Sequence, residues 1–185
     1  QLVGDGTRRL STLKSGDVLN AVLPLGNSFS LPEKNEKVLL IGGGVGTAPM
    51  LFLGSYLRNA GFVPHFLLGA RSSRDILQKE QFEALGIVDV TTEDGSCGEK
   101  GYVTQHSLLQ KEHFDRIYTC GPKPMMVAVA RYAKGKGIKC EVSLENMMAC
   151  GVGACLCCVE NTTEGHICVC KEGPVFNIEN LLWQI

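Results

Sequence analysis

The chain has 185 residues, 44% of them apolar, with 18 basic and 19 acidic side chains and a net charge of −1. That supports one full domain and a small second one, and the near balance of charge speaks against a general attraction to nucleic acid or anionic lipid. Gly, Pro or charge breaks every apolar run before the ~18 residues of a membrane span, and no charged n-region with an apolar h-region is visible, so a cytoplasmic protein without nucleic-acid or membrane partners is expected.

In chain order, residues 1–31 read as short apolar runs separated by Gly/Asp turns: Val3-Gly4-Asp5-Gly6-Thr7, Leu10 to Leu13, Ser15-Gly16-Asp17 and Val18 to Val22. This pattern predicts antiparallel β-structure, too little of it to cover its own edges, and hence a piece of a longer chain. Pro32 to Glu36 is a polar linker. From there to residue 145 the sequence alternates as βαβ units do. Strands are expected at 37–41, 65–69, 88–91, 116–120 and 138–144, and helices at 48–59, 77–85, 102–109 and 124–134. The expected fold is α/β, a parallel five-stranded sheet with helices on both faces. Residues 146–185 read as a separate small module that holds most of the nine cysteines and ends in an apolar segment, Val175 to Ile185. So short a stretch buries little core, and a metal centre is a plausible stabiliser.

Four motifs lie where an α/β sheet carries chemistry. Gly42-Gly43-Gly44-Val45-Gly46-Thr47-Ala48-Pro49 follows the first strand and opens a helix. Glycines there let backbone N–H groups approach a pyrophosphate at the positive helix end. Thr47 stands where the last Gly of G-x-G-x-x-G would be. Asp94-Gly95-Ser96 and Cys120-Gly121-Pro122 follow the third and fourth strands, at the carboxyl ends where such sheets bind ligands. Asp94 reads either as a wall of a nucleotide pocket or as an ordinary turn, and Cys120 either as a neighbour of a nicotinamide or as a buried structural thiol. Arg71, Arg74 and Asp75 follow the second strand and do not decide between NAD and NADP.

Cys150-Gly151-Val152-Gly153-Ala154-Cys155-Leu156-Cys157-Cys158, with Cys168 and Cys170 downstream, contains the spacing C-x4-C-x2-C and further cysteines for a fourth ligand. That is the plant-type spacing of a [2Fe–2S] cluster held by four thiolates. An odd cysteine count, clustered in one region, favours metal or redox chemistry over disulfides. Structural zinc is the rival, although its sites favour two well-separated C-x2–4-C pairs. His166 alone does not make a Rieske site, which needs two His.

Together, Gly42 to Pro49, Asp94-Gly95-Ser96, Cys120-Gly121-Pro122 and the stretch Ser143-Leu144-Glu145 through Cys158 resemble the electron-transfer subunits of class 1B dihydroorotate dehydrogenase, a family of ferredoxin-reductase-like iron–sulfur flavoproteins. Cys170-Lys171-Glu172-Gly173-Pro174-Val175-Phe176 is similar to the family's final segment. The resemblance implies Cys150, Cys155, Cys158 and Cys170 as cluster ligands, with Cys157 and Cys168 as bystanders. It implies a remnant of an FAD-binding β-barrel at 1–31, with Gly6 and Thr7 as flavin contacts and Pro24-Leu25-Gly26-Asn27 as the barrel's end. It implies an NAD-binding domain at 32–145, with Gly42, Gly44, Gly46, Thr47, Asp94, Cys120, Gly121 and Glu145 as cofactor-binding residues, and a [2Fe–2S] module at 146–185. The implied activity carries electrons from NAD(H) through the FAD of the parent protein and the cluster to the FMN of a catalytic subunit. That subunit oxidises dihydroorotate in pyrimidine biosynthesis, in a heterotetramer of two subunits of each kind. No side chain is expected to act as acid, base or nucleophile. The alternatives are another NAD(P)H-dependent iron–sulfur flavoprotein reductase subunit, of the sulfite reductase or hydrogenase diaphorase type, and a zinc-stabilised nucleotide-binding module.

Overall fold

The structure is a computed structural model that describes residues 2–183. Gln1 and the last two residues of the expected apolar tail lie outside the described residues. The elements are α1 (Asp5–Leu10), β1 (Val38–Gly43), α2 (Thr47–Asn59), β2 (His65–Ala70), α3 (Lys79–Glu83), β3 (Ile87–Thr92), β4 (Glu99–Lys100), α4 (Leu108–Lys111), β5 (Arg116–Cys120), α5 (Lys123–Lys136), β6 (Lys139–Ser143), β7 (Val159–Thr162), β8 (Gly165–Cys168), α6 (Val169–Glu172) and β9 (Val175–Asn177). The main sheet runs β4-β3-β2-β1-β5-β6-β9, and β7 and β8 form a separate antiparallel hairpin. All pairs from β4 to β6 are parallel, and β9 adds antiparallel to β6.

The five expected strands form the centre of this sheet. β1 is buried along its whole length, as a strand covered on both faces must be, and for that reason it reads as an unbroken apolar run. Leu40 faces one core with Leu53, Leu57, Phe66 and Phe82, while Leu39 and Ile41 face the other with Ile117, Val129 and Val142. Helix α5 buries Met126, Val129, Ala130 and Ala133, the i, i+3, i+4, i+7 stripe of a core-facing helix. It ends at Gly137 with φ +66°, the left-handed cap that glycine adopts without a Cβ penalty. Helix α2 lies close on the sheet at Gly54, where a Cβ would come 2.6 Å from Cε1 of Phe66.

Two expectations are corrected. Residues 1–31 hold no strand among the described residues. Residues 5–10 form α1, and Val18 and Leu23 are 86% and 80% exposed. A strand is stable only when its backbone groups pair with a neighbour, and among the described residues this stretch pairs with no strand. The C-terminal stretch does not keep a core of its own: Cys158, Val169, Cys170, Phe176, Ile178 and Leu181 share one core with Ile117 and Val129.

The linker is stitched to the sheet by charge. Glu36 accepts hydrogen bonds from Arg116 Nε (2.8 Å) and Lys139 Nζ (2.9 Å), and the Tyr118 hydroxyl donates to the Ser30 carbonyl (2.7 Å). Burial would raise the pKa of Glu36, but the bonds from Arg116 and Lys139 outweigh it and hold it at about 2, against an ordinary 4.5. In the window between those values the unfolded chain binds the proton and the folded chain does not. Stability is therefore present above pH 4.5 and is lost as pH falls toward 2. The loss at this site, after discounting for solvent screening, is about 1–2 kcal/mol. Urea titrations between pH 6 and pH 3 should show this fall in the wild type and a flatter profile in Glu36→Gln.

Candidate functional site

The strand order reverses beside β1: the chain steps outward through β2, β3 and β4, then returns to lay β5 on the other side of β1. At such a switch point the loops at the carboxyl ends diverge and leave a crevice. A cleft of about 730 Å³ lies there, between the ends of β1, β2 and β3 and the start of α5. In register, Gly43 pairs with Gly69 and Gly69 with Thr91, so two glycines and a small polar residue keep the cleft open. Pro122, Pro124 and Met125 line one side, and Tyr102 and Val103 another.

Beyond β1 a 3-10 turn at residues 44–46 feeds α2, a helix of 13 residues. Gly44 has φ +57° with open space where a Cβ would be. Gly46 is buried, and a Cβ there would overlap the Cys120 carbonyl and come 2.5 Å from the Gly121 nitrogen. The Thr47 hydroxyl donates to the Gly44 carbonyl at 2.9 Å, closing the turn. A tight turn at a helix N-terminus with an open face is suited to hold a phosphate.

Cys120 ends β5 directly opposite Gly42. It is buried, and its Sγ lies 3.9 Å from a carboxylate oxygen of Glu145. Burial, and then the Glu145 charge, push this thiol up to about 11, so it stays neutral near pH 7. Next to Glu145, the Asn146 amide donates to Glu160 Oε2 (3.1 Å) and reaches the Cys158 carbonyl (3.4 Å). The cleft and the cysteine loop are thus joined through two adjacent residues.

In the loop itself the thiols form two pairs. Cys155 is joined to Cys150 through its backbone N–H, and Cys170 to Cys158 in the same way. Backbone N–H groups point at sulfur: Val152 and Cys155 at Cys150 Sγ (3.4 Å each), and Cys170 at Cys158 Sγ (3.3 Å). Gly151 (φ +72°), Gly153 (φ +77°) and Leu156 (φ +57°) supply the left-handed backbone that this winding needs. The N–H groups of Val152 and Cys155 hold the Cys150 thiol at about 6, and the Cys170 N–H lowers Cys158. The Cys170 thiol is raised by the neighbouring Cys158 side chain and by burial. Among the described residues no three His, Cys, Asp or Glu side chains gather as for a single metal ion. Two thiol pairs, each with backbone donors, instead match a centre of two metal atoms held by two thiolates apiece, so these residues fit a [2Fe–2S] cluster.

The structure therefore brings Gly42, Gly44, Gly46, Thr47, Cys120, Gly121 and Glu145 to one end of the sheet, and Cys150, Cys155, Cys158 and Cys170 into one loop region. Cys157 is exposed, and Cys168 donates to the Gly153 carbonyl (3.6 Å) without joining either pair. Two assignments do not gather at the site. Asp94 turns away from the cleft and accepts from the Ser96 N–H (2.9 Å) and hydroxyl (2.6 Å), which lowers its pKa. Its neighbour Glu93 lines the cleft instead. Gly6 and Thr7 lie on α1, where the Thr7 hydroxyl donates to the Gly4 carbonyl (2.9 Å) and accepts from the Val3 N–H (3.0 Å). Tyr102, Val103 and Met125 escaped the sequence reading because no motif marks an apolar cleft wall. Arg71 and Asp75, left open from sequence, both line the cleft, and Asp75 accepts from the Ser72 hydroxyl at 2.9 Å.

Comparison with known proteins agrees with this geometry. Residues 145–182 match the family model described as the iron-sulfur cluster binding domain of dihydroorotate dehydrogenase B, and residues 40–131 match the oxidoreductase NAD-binding domain. The dihydroorotate dehydrogenase B (NAD(+)) electron transfer subunit of Caldanaerobacter subterraneus subsp. tengcongensis is 41% identical over 99% of this chain and 74% of its own length. The subunit of the same name from Clostridium acetobutylicum is 40% identical over 95% of this chain and 69% of its own. Among solved structures, a chain of an NADH-dependent reduced ferredoxin-NADP oxidoreductase is similar, with a TM-score of 0.86 and 36% identity, over 99% of this chain and 67% of that one.

Proposed function

Because the chain belongs to the family of dihydroorotate dehydrogenase B electron transfer subunits, we propose that it carries electrons from NAD(H) toward a catalytic partner subunit, with the paired thiols of Cys150/Cys155 and Cys158/Cys170 as the cluster ligands. The observation that carries this reading is the junction of the cleft with the cysteine loop through Glu145 and Asn146. When bound, a nicotinamide supplies a two-electron hydride donor, a flavin the exchange between two-electron and one-electron steps, and a [2Fe–2S] cluster a one-electron carrier. In this reading residues 32–145 are the NAD-binding domain and 146–185 the cluster module. Residues 1–31, which form α1 and no strand among the described residues, would contribute Gly6 and Thr7 to an FAD site.

The chain's own residues then position rather than react. The turn from Gly42 to Gly46 and the N-terminus of α2 hold the pyrophosphate. Cys120, as a neutral thiol, and Glu145 flank the nicotinamide end, and Asp94 shapes the neighbouring turn. The partner is an FMN-containing subunit that oxidises dihydroorotate, in a cytoplasmic assembly of two subunits of each kind. No described helix is long and apolar enough to cross a membrane. The similarity to an NADH-dependent ferredoxin-NADP oxidoreductase chain favours one second reading, a reductase subunit with a different electron acceptor.

Anaerobic preparation of the chain, with iron, sulfide and zinc analysis and a visible spectrum, tests the proposal. The expected result is about two iron and two sulfide per chain and a visible absorption that bleaches with dithionite, or with NADH once FAD is supplied. A colourless, zinc-replete chain from the same anaerobic preparation would sink it. Pull-down with the chain as bait separates the two acceptors.

A further inference from the structure

The segment Leu25–Asn27 lies far from the cysteine loop in sequence, yet it touches both of its ends. At one end, a Cβ built on Gly151, next to Cys150, would stand 3.4 Å from Leu25 Cδ2. At the other, Asn27 engages the stretch that follows Cys170. Its N–H donates to the Gly173 carbonyl (2.5 Å), and its Nδ2 donates to the carbonyls of Glu172 (2.9 Å) and Val175 (3.1 Å). Its Oδ1 accepts from the Val175 N–H (3.0 Å). Gly26 lies so close that a Cβ would overlap the Gly173 carbonyl and stand 3.1 Å from Pro174 Cδ. Four hydrogen bonds therefore converge from one exposed asparagine on the segment beside a cluster ligand. Asparagine suits the place because its amide both donates and accepts, and the Nδ2 group faces two carbonyl oxygens.

We propose that Leu25–Asn27 is a strap that positions the cluster loop, and that Asn27 is its positioning residue, setting the register of the Cys170 segment. The strap ties residues that precede the α/β domain directly to the cluster loop. The chain before residue 25 and the cluster would then keep their spacing whatever happens at the nucleotide cleft. The structural part stands on the contacts alone; its meaning for the cluster rests on the function proposed above.

The test uses the 185-residue chain, reconstituted anaerobically with iron and sulfide, as wild type, Asn27→Ala, Asn27→Asp and Gly26→Ala. Amide hydrogen exchange is read at residue 27 and at Cys170, whose N–H donates to Cys158 Sγ. Iron release to a chelator is followed in parallel. All three variants should exchange these amides about tenfold faster than wild type, with β1 and β5 unchanged. Asn27→Asp should release iron at least as fast as Asn27→Ala, because a carboxylate cannot donate to the two carbonyls and repels them. A residue that merely fills space would give the opposite order, with aspartate behaving as asparagine does. Wild-type protection in the variants, aspartate matching asparagine, or loss of protection throughout β1 and β5 would each overturn the proposal. If no variant and no wild type takes up iron, the fault lies with the cluster reading, and exchange at residue 27 and Cys170 still decides the strap.

Discussion

Cys158→Ser should leave the chain without its cluster, while Cys157→Ser, one residue away, should keep it. The two side chains differ in every respect that matters to a ligand. Cys158 is buried, and its Sγ accepts the Cys170 N–H at 3.3 Å. Cys157 is exposed, and among the described residues no hydrogen bond joins it to either thiol pair. Serine offers a hard, weakly acidic oxygen on a shorter arm, a poor replacement for thiolate in an iron–sulfur site. The loss for Cys158→Ser should therefore be close to complete in iron content and visible absorption. The effect should extend to stability, because residues 150–158 form no helix or strand and their centre would no longer cross-link them to the Cys170 segment. Chains that lose the cluster at both positions, or at neither, would show that the ligand register is wrong.

Gly46→Ala should have the next largest effect, on folding and on nucleotide binding together. The new Cβ would overlap the Cys120 carbonyl and stand 2.5 Å from the Gly121 nitrogen. These are backbone atoms at the end of β5, and they cannot rotate away as a side chain can. Relief requires either the turn before α2 or the Cys120-Gly121 backbone to move, at a cost of about 2–4 kcal/mol. Gly44 and Val45 of the turn, and Pro122 next to Gly121, line the cleft, so NADH affinity should fall by at least ~10-fold as the N–H groups of the turn lose their aim. Gly44→Ala is the control: its Cβ would meet open space, and only the φ of +57° opposes it, for about 1 kcal/mol. Urea denaturation and NADH fluorescence titration of both variants measure the two effects. Wild-type affinity in a folded Gly46→Ala chain would remove the dinucleotide from this turn.

The sheet was readable because its central strands are buried on both faces and appear as apolar runs between turn residues. The run at residues 37–41 became β1, and 116–120 became β5 without a shift. The edges were not readable. β4 is two residues, Glu99–Lys100, without an apolar signal, and β9 is a strand only because β6 presents a free edge to Val175–Asn177. Residues 1–31 erred the other way. Their alternation suggested strands, but strand formation needs a neighbour, and among the described residues they pair with none.

In the candidate site the same division holds. Spacing and residue chemistry were enough to point to a two-iron centre in the cysteine loop and a phosphate turn after the first strand, because both signals are local: a loop of fixed length and a glycine turn opening a helix. Distance in sequence hid everything else. That Asp94 closes its own turn while Glu93 meets the cleft, that Gly54 lets α2 settle on Phe66, and that Asn27 holds the stretch after Cys170 all depend on contacts made when the sheet closes. A residue's type limits which bonds it can form, but only the folded chain sets which partners come within 3 Å of it, and in this protein those partners lie as far apart as residues 27 and 175.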